Sequence, residues 1–233
     1  MKDIEAELRI AKEKAEEANR LKMEFIQNME HDIRTPFSGI FGLASTLLRR
    51  EQDEKKKEYL SYITQSAKEL LDYCNGILDF SKIEFGEPIV SKRFNLTEAI
   101  ERVTNMELAA AKNKNLSLTY ELIDTPKYLL GDEHRLIRIL VNLLSNAIKF
   151  TEQGQVKLTV KGYEQNPKKI ILKFTVEDTG IGIHPDKQKI IGQKFVRLLP
   201  SNKGIYKGLG LGLPVVKQYI NDLEPVQNVY IIV

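Results

Sequence analysis

Tyr59-Leu-Ser-Tyr-Ile-Thr-Gln-Ser-Ala-Lys-Glu-Leu-Leu-Asp-Tyr-Cys-Asn-Gly-Ile-Leu-Asp-Phe-Ser81 is the most regular stretch of this 233-residue chain. Leu60, Ile63, Ala67, Leu70, Cys74 and Ile77 step by three and four, and Leu71 and Leu78 widen the stripe, which predicts an amphipathic helix. Upstream, Ile4, Leu8, Ala11, Ala15 and Ala18 alternate steps of four and three, and Phe25 resumes the series. Glu, Lys and Arg fill the positions between, so the N-terminal stretch reads as the weak heptad seam of a coiled coil. The helical pattern continues to Pro36, where the lost backbone donor predicts a kink, and resumes from Phe37 to Arg50. The charged run Glu51 to Lys57 supplies a connection and the start of the next helix. Two long helices joined by a short turn make an antiparallel hairpin. A hairpin cannot cover both of its own apolar stripes. Two copies closing a four-helix bundle can, which predicts a homodimer.

Downstream, Gly86 and Pro88 end the helical pattern, and mixed α and β character follows. Arg93–Asn95 reads as a short strand, and Thr97 as the cap of a helix reaching about Lys112. Leu116–Leu122 alternates as a strand, and Asp132 caps a helix to about Phe150. Gln155–Tyr163 and Lys169–Glu177 alternate on either side of Asn166-Pro167, the pattern of a hairpin. A Gly-rich stretch precedes a last helix over about Leu211 to Leu223. The expected fold class is α+β: a helical hairpin in a dimeric bundle, then an α/β sandwich with its sheet covered on one face.

Composition narrows the chemistry. Apolar residues make up 42% and charged residues 29%, as in ordinary globular proteins. One cysteine excludes a disulfide framework and a cysteine zinc site. A net charge of +3 gives no argument for nucleic acid as a partner. No apolar run is long enough to span a bilayer, and no signal peptide is visible.

Three polar clusters in the second half suit a nucleotide. Asn142, Asn146 and Lys149 are spaced by four and three and share one helix face. An amide oxygen is a hard ligand for Mg²⁺, and a lysine meets phosphate as a point charge. Asp178-Thr-Gly180-Ile-Gly182 follows a strand. Its glycines let backbone approach a ligand, and its carboxylate can accept from an exocyclic amine. Gly208-Leu-Gly210-Leu-Gly212 precedes a helix whose first N–H groups favour a phosphate, but it lacks the Gly-Lys-Ser/Thr of a P-loop and follows no strand.

Taken in order, these clusters resemble the ATP-binding domain of the GHKL superfamily of gyrase, MutL-type and histidine-kinase ATPases. The resemblance implies that Asn146 holds Mg²⁺, that Asn142 and Lys149 meet phosphates, and that Asp178 binds the adenine amine. It sets the glycines 180, 182, 208, 210 and 212 around the nucleotide. Phe195 and Arg197 resemble the F box at the start of an ATP lid spanning residues 200–207. Phe25-Ile-Gln-Asn-Met-Glu-His31-Asp32-Ile-Arg34-Thr35-Pro36 resembles the H box of bacterial sensor histidine kinases.

That resemblance implies a catalytic core in which His31 takes the γ-phosphoryl group of Mg-ATP and passes it to an aspartate of a response-regulator receiver domain. A neutral imidazole is a nucleophile near pH 7. Asp32 could accept the proton released from its other nitrogen. Thr35 lies one turn on from His31, where the family's threonine can orient a water for the reverse dephosphorylation. The implied domains are a signalling linker helix at 1–24, a dimerisation and phosphotransfer domain at 25–85 and an ATP-binding domain at 86–233. The implied setting is cytoplasmic, with an upstream sensor domain absent from this chain. Two departures stand out. Only one strand candidate, Val229–Val233, follows the last helix where the family carries a pair, and Gly192 stands near the place of the first F-box aromatic. Two rivals are a GHKL ATPase with a purely dimerising helical part, opposed by the intact H box, and a degenerate scaffold, opposed by the ATP motifs.

Overall fold

The computed structural model describes residues 2–84, 89–166, 169–194, 196 and 210–227. The chain forms two compact units, one built on its first two helices and one from the first strand onward.

The first unit is α1 (Lys2–Arg50) packed along α2 (Glu54–Glu84). Only Glu51-Gln52-Asp53 separates them, so α2 begins inside the charged run. The turn is held by its own side chains. Glu51 Oε1 accepts from the N–H groups of Gln52 (2.9 Å) and Asp53 (3.0 Å), and Asp53 caps α2 by accepting from Lys56 N at 3.1 Å. Pro36 leaves α1 a single helical element. Its missing N–H withdraws the usual bond from the carbonyl of Asp32, one residue after His31. The first unit buries Ala44 and Ala67, small residues that let backbones approach, and the larger Leu78.

The second unit has two sheets. β1 (Lys92–Asn95) pairs antiparallel with β3 (Tyr128–Gly131). β2 (Ser117–Ile123) pairs parallel with β4 (Gln155–Asn166), which pairs antiparallel with β5 (Lys169–Asp178). A parallel pair needs a crossover, here supplied by β3 and α4 (Glu133–Phe150). Along β4, Val156, Leu158, Val160 and Gly162 point into the core while the residues between are part-exposed. Helices α3 (Leu96–Asn113), α4 and α6 (Gly212–Gln227) supply the other side of that core through Ile100, Ile139, Leu144 and Tyr219. Each such side chain stabilises by about 1.5–3 kcal/mol.

Four details depart from expectation. Asn95, not Thr97, caps α3, accepting from Thr97 N (3.1 Å) and Glu98 N (3.4 Å). The helix starts two residues early because Leu96 is completely buried. Strand β3 was not expected: only Leu129 and Gly131 of its four residues are buried, and its partner is distant in sequence. A one-turn helix, α5 (Pro185–Gln188), follows the Asp-Gly-Gly segment. Helix α6 runs past Leu223, through Pro225, to Gln227. The strand candidate at 229–233 lies outside the described residues.

Candidate active site

Helix α4 organises the second unit. Its buried face carries Leu136, Ile139, Leu140, Leu143, Leu144, Ala147 and Ile148. Asn142, Asn146 and Lys149 are part-exposed on the adjoining face, as their spacing predicts. Asn142 Nδ2 donates to the Arg138 carbonyl (2.9 Å), which orients the amide. Helix α6 packs on α4 and begins at Gly212. A methyl group added at Gly212 would stand 3.0 Å from Asn142 Oδ1 and 3.7 Å from Asn146 Nδ2. The fold therefore brings the last glycine and the two asparagines together, 70 and 66 positions apart in sequence by subtraction of 142 and 146 from 212. Leu211, Val215, Val216 and Tyr219 are buried and hold α6 in place.

The second cluster meets the C-terminal residue of α4, Phe150. Asp178 ends β5, paired with Val156, and is exposed. Its Oδ1 accepts from Gly180 N at 2.8 Å, tightening the turn. A side chain at Gly180 would collide with the Phe150 carbonyl at 2.5 Å and with Asp178 Oδ1 at 2.7 Å. Ile181 N donates to that same carbonyl (3.3 Å). Gly182 has φ +65° and open space around it, a backbone shape that favours glycine. Thr179, which the sequence reading passed over, accepts from Gln155 N (3.0 Å) and donates to Gln153 O (3.1 Å), locking the strand end that carries Asp178. Lys149 Nζ lies 5.3 Å from the Phe150 ring centroid. Gly210 has φ +69° and leads into α6. Phe195, Arg197, Gly208 and the lid segment 200–207 lie outside the described residues.

In the first unit, the His31 side chain is 82% exposed and its Nδ1 lies 3.7 Å from Asp32 Oδ1. Thr35 Oγ1 donates to the His31 carbonyl (2.9 Å). Glu30 and Arg34 form an ion pair along α1, and Arg34 Nη2 donates across the hairpin to Asn75 Oδ1 (2.9 Å). Cys74 is half-buried, and burial pushes its thiol pKa up against the opposing effect of Arg34. His134 and His184 are exposed, and His184 Nδ1 accepts from Asp186 N at 3.4 Å, capping α5.

No three His, Cys, Asp or Glu side chains converge on a metal position among the described residues. The polar groups at the α4–α6 contact are instead two carboxamides close against a glycine, where a side chain would crowd Asn142 Oδ1. That donor set fits Mg²⁺, which takes few protein oxygens and keeps water and phosphate for the rest.

Comparison with known proteins agrees with this geometry. Residues 21–86 match the His Kinase A (phospho-acceptor) domain. Residues 131–229 match the histidine kinase-, DNA gyrase B- and HSP90-like ATPase domain. The chain is 36% identical over 219 residues to the signal transduction histidine-protein kinase BarA of Escherichia coli K12. It is 39% identical over 221 residues to the sensor histidine kinase GacS of Pseudomonas protegens. In both cases 93% of this chain is covered, and it spans 24% of the relative's length. Among solved structures, full-length ShkA in complex with AMPPNP superposes with a TM-score of 0.63 at 28% identity, covering 85% of this chain and 40% of that one. With a phospho-acceptor hairpin preceding a kinase-type ATPase domain, the chain belongs to the sensor histidine kinases and carries the two domains of their catalytic core.

Proposed function

We propose that this core phosphorylates its own His31 from Mg-ATP and hands the phosphoryl group to an aspartate of a response-regulator receiver domain. The observation that carries the reading is His31 itself: an exposed imidazole beside Asp32 on the matched phospho-acceptor helix. One ring nitrogen attacks the γ-phosphorus, the bond to the β–γ bridging oxygen breaks, and ADP leaves. Asp32 takes the proton released from the other nitrogen through one water, since 3.7 Å exceeds a direct hydrogen bond. Asn146 would hold Mg²⁺, which supplies charge neutralisation at the phosphates. Asn142 and Lys149 meet the phosphates, and Asp178 accepts from the adenine amine with Gly180 and Gly182 giving backbone access. Phe195, Arg197, Gly208, Gly210 and Gly212 border the nucleotide and its lid. Thr35 orients water when the flow reverses, a phosphatase reaction of the same site.

The hairpin acts as a homodimer in this reading. Leu43 is 71% exposed and Phe25 64%, with Leu47, Tyr59, Ile63 and Ile77 also uncovered in the single chain. A second hairpin is the partner that buries such stripes. Residues 1–24 then form a linker helix that receives a signal from a sensor segment, residues 25–85 the dimerisation and phosphotransfer domain, and residues 86–233 the ATP-binding domain, all working in the cytoplasm. No helix among the described residues is long and apolar enough to cross a membrane.

Incubation with γ-labelled ATP and Mg²⁺ tests the proposal, with wild type beside His31→Ala. Acid-labile, alkali-stable label that chases onto a receiver domain and is absent from the variant is the expected result. Equal labelling of the variant refutes the role of His31.

A further inference from the structure

The end of α4 is where the two halves of the nucleotide site meet, and its carbonyls are accounted for one by one. Thr151 takes Ala147 O, through its N–H at 3.0 Å and its hydroxyl at 2.7 Å. Ile181 N takes Phe150 O. The two between belong to a residue from another element. Lys114, at the end of α3, sends its ammonium to Ile148 O (2.9 Å), Lys149 O (2.7 Å) and Thr151 O (3.1 Å). An ammonium has three donors, and here all three close on the last turn of one helix.

A helix end carries orphan carbonyls and a partial negative charge. Lys114 satisfies the first and opposes the second. The consequence reaches the ligand-facing groups by backbone alone. Lys149 projects from the turn that Lys114 clamps, and Asn146 stands just before it. Phe150 O, between the clamped carbonyls of Lys149 and Thr151, seats the Gly180–Ile181 segment, and Gly180 N holds the Asp178 carboxylate (2.8 Å).

We infer that Lys114 is a positioning residue of the nucleotide site. By clamping the C-terminal turn of α4, it holds the phosphate-facing Asn146 and Lys149 in register with the adenine-facing Asp178. The inference rests on the proposed assignment of these residues to ATP.

Lys114→Met keeps the length of the side chain and removes charge and donors. Lys114→Arg restores both, and Lys114→Gln restores a donor without charge. Affinity for a non-hydrolysable ATP analogue with Mg²⁺ is measured by calorimetry on the full chain, alongside autophosphorylation kinetics and amide exchange. The expected result for Lys114→Met is analogue binding weakened about tenfold, the scale of one lost charge-assisted hydrogen bond. Labelling should show a raised KM for ATP with kcat within about threefold, as uniform binding loss predicts. The Ile181 amide should exchange faster, and Lys114→Arg should recover most of the affinity. A folded Lys114→Met protein with wild-type affinity and an unchanged Ile181 amide overturns the inference, even if its Tm falls. Should Lys114→Met not fold, the Gln and Arg variants carry the same comparison. Wild type that binds no analogue refutes instead the underlying site assignment.

Discussion

Arg34 on α1 donates a hydrogen bond of 2.9 Å to Asn75 on α2, three residues beyond His31 and one turn before the proline-interrupted ladder reforms. Together with the Glu30–Arg34 pair it ties the phase of α1 to α2 and leaves His31 turned out to solvent. Asn75→Ala should therefore slow His31 labelling while leaving the KM for ATP unchanged, because nucleotide contacts lie in the other unit. The stability cost should be about 1 kcal/mol. Thermal melts and steady-state labelling at varied ATP separate the two effects. A raised KM with normal kcat would contradict the assignment.

Gly180 admits no side chain. Its added methyl would meet the Phe150 carbonyl at 2.5 Å, and a backbone atom cannot swing away. Gly180→Ala should cost about 1–3 kcal/mol by overpacking and displace Asp178, abolishing measurable ATP binding. Gly182→Ala faces open space but a φ of +65°, so its cost is backbone strain, of order 1 kcal/mol. Denaturant titration and nucleotide binding of the pair would test this order.

Arg135 is buried on α4, with Nη1 2.6 Å from Asp222 Oδ2 on α6 and Nε 3.4 Å from Asp132 Oδ2. Its guanidinium also lies 5.4 Å from the Tyr219 ring centroid. Asp132 in turn caps α4 and accepts from Val90 N at 3.0 Å. Asp222→Ala removes one of the two carboxylates beside a buried guanidinium and should destabilise the second unit by about 1–3 kcal/mol. A Met replacement of Arg135 made in the same background should regain part of that loss. Chemical denaturation of both proteins gives the answer.

Glu51 has its carboxyl pKa lowered by the N–H of Asp53 first and that of Gln52 second. A depressed folded pKa means stability that is present above the unfolded carboxyl value of about 4.3 and is lost as pH falls through the folded value. Glu51→Gln should therefore lower the melting temperature of the hairpin at neutral pH. The difference from wild type should vanish under acid, and melts across pH 2–7 would show whether it does.

Leu43→Asp places a charge on the uncovered stripe of α1. If that stripe is the bundle seam, light scattering should report a shift from dimer toward monomer. A dimer of unchanged stability would place the interface elsewhere.

Much of this was legible without a structure. Both long helices, the Asp132 cap and the β4–β5 hairpin follow from period and local chemistry, which act over a few residues. The asparagine face and the Asp-Gly-Gly turn were readable for the same reason, and the H box by its resemblance to a family motif. Asn95 displaced Thr97 as cap because both residues suit the position, and only the burial of Leu96 chooses between them. Strand β3 left almost no periodic signal, since pairing with β1 rather than its own pattern makes it a strand.

By itself the sequence determined which chemistry this chain carries: a histidine on a two-helix hairpin, and amides, a carboxylate and glycines in the order of a kinase ATPase domain. The tertiary structure alone decided how those groups meet. Gly212 faces Asn142 because α6 packs across α4, and Phe150 O receives Ile181 because β5 ends beside that helix. Lys114 gave no motif to read, because its partners are backbone carbonyls that every residue possesses. Which carbonyls lie within reach is settled by how α3 folds back on α4, and no side-chain pattern encodes that.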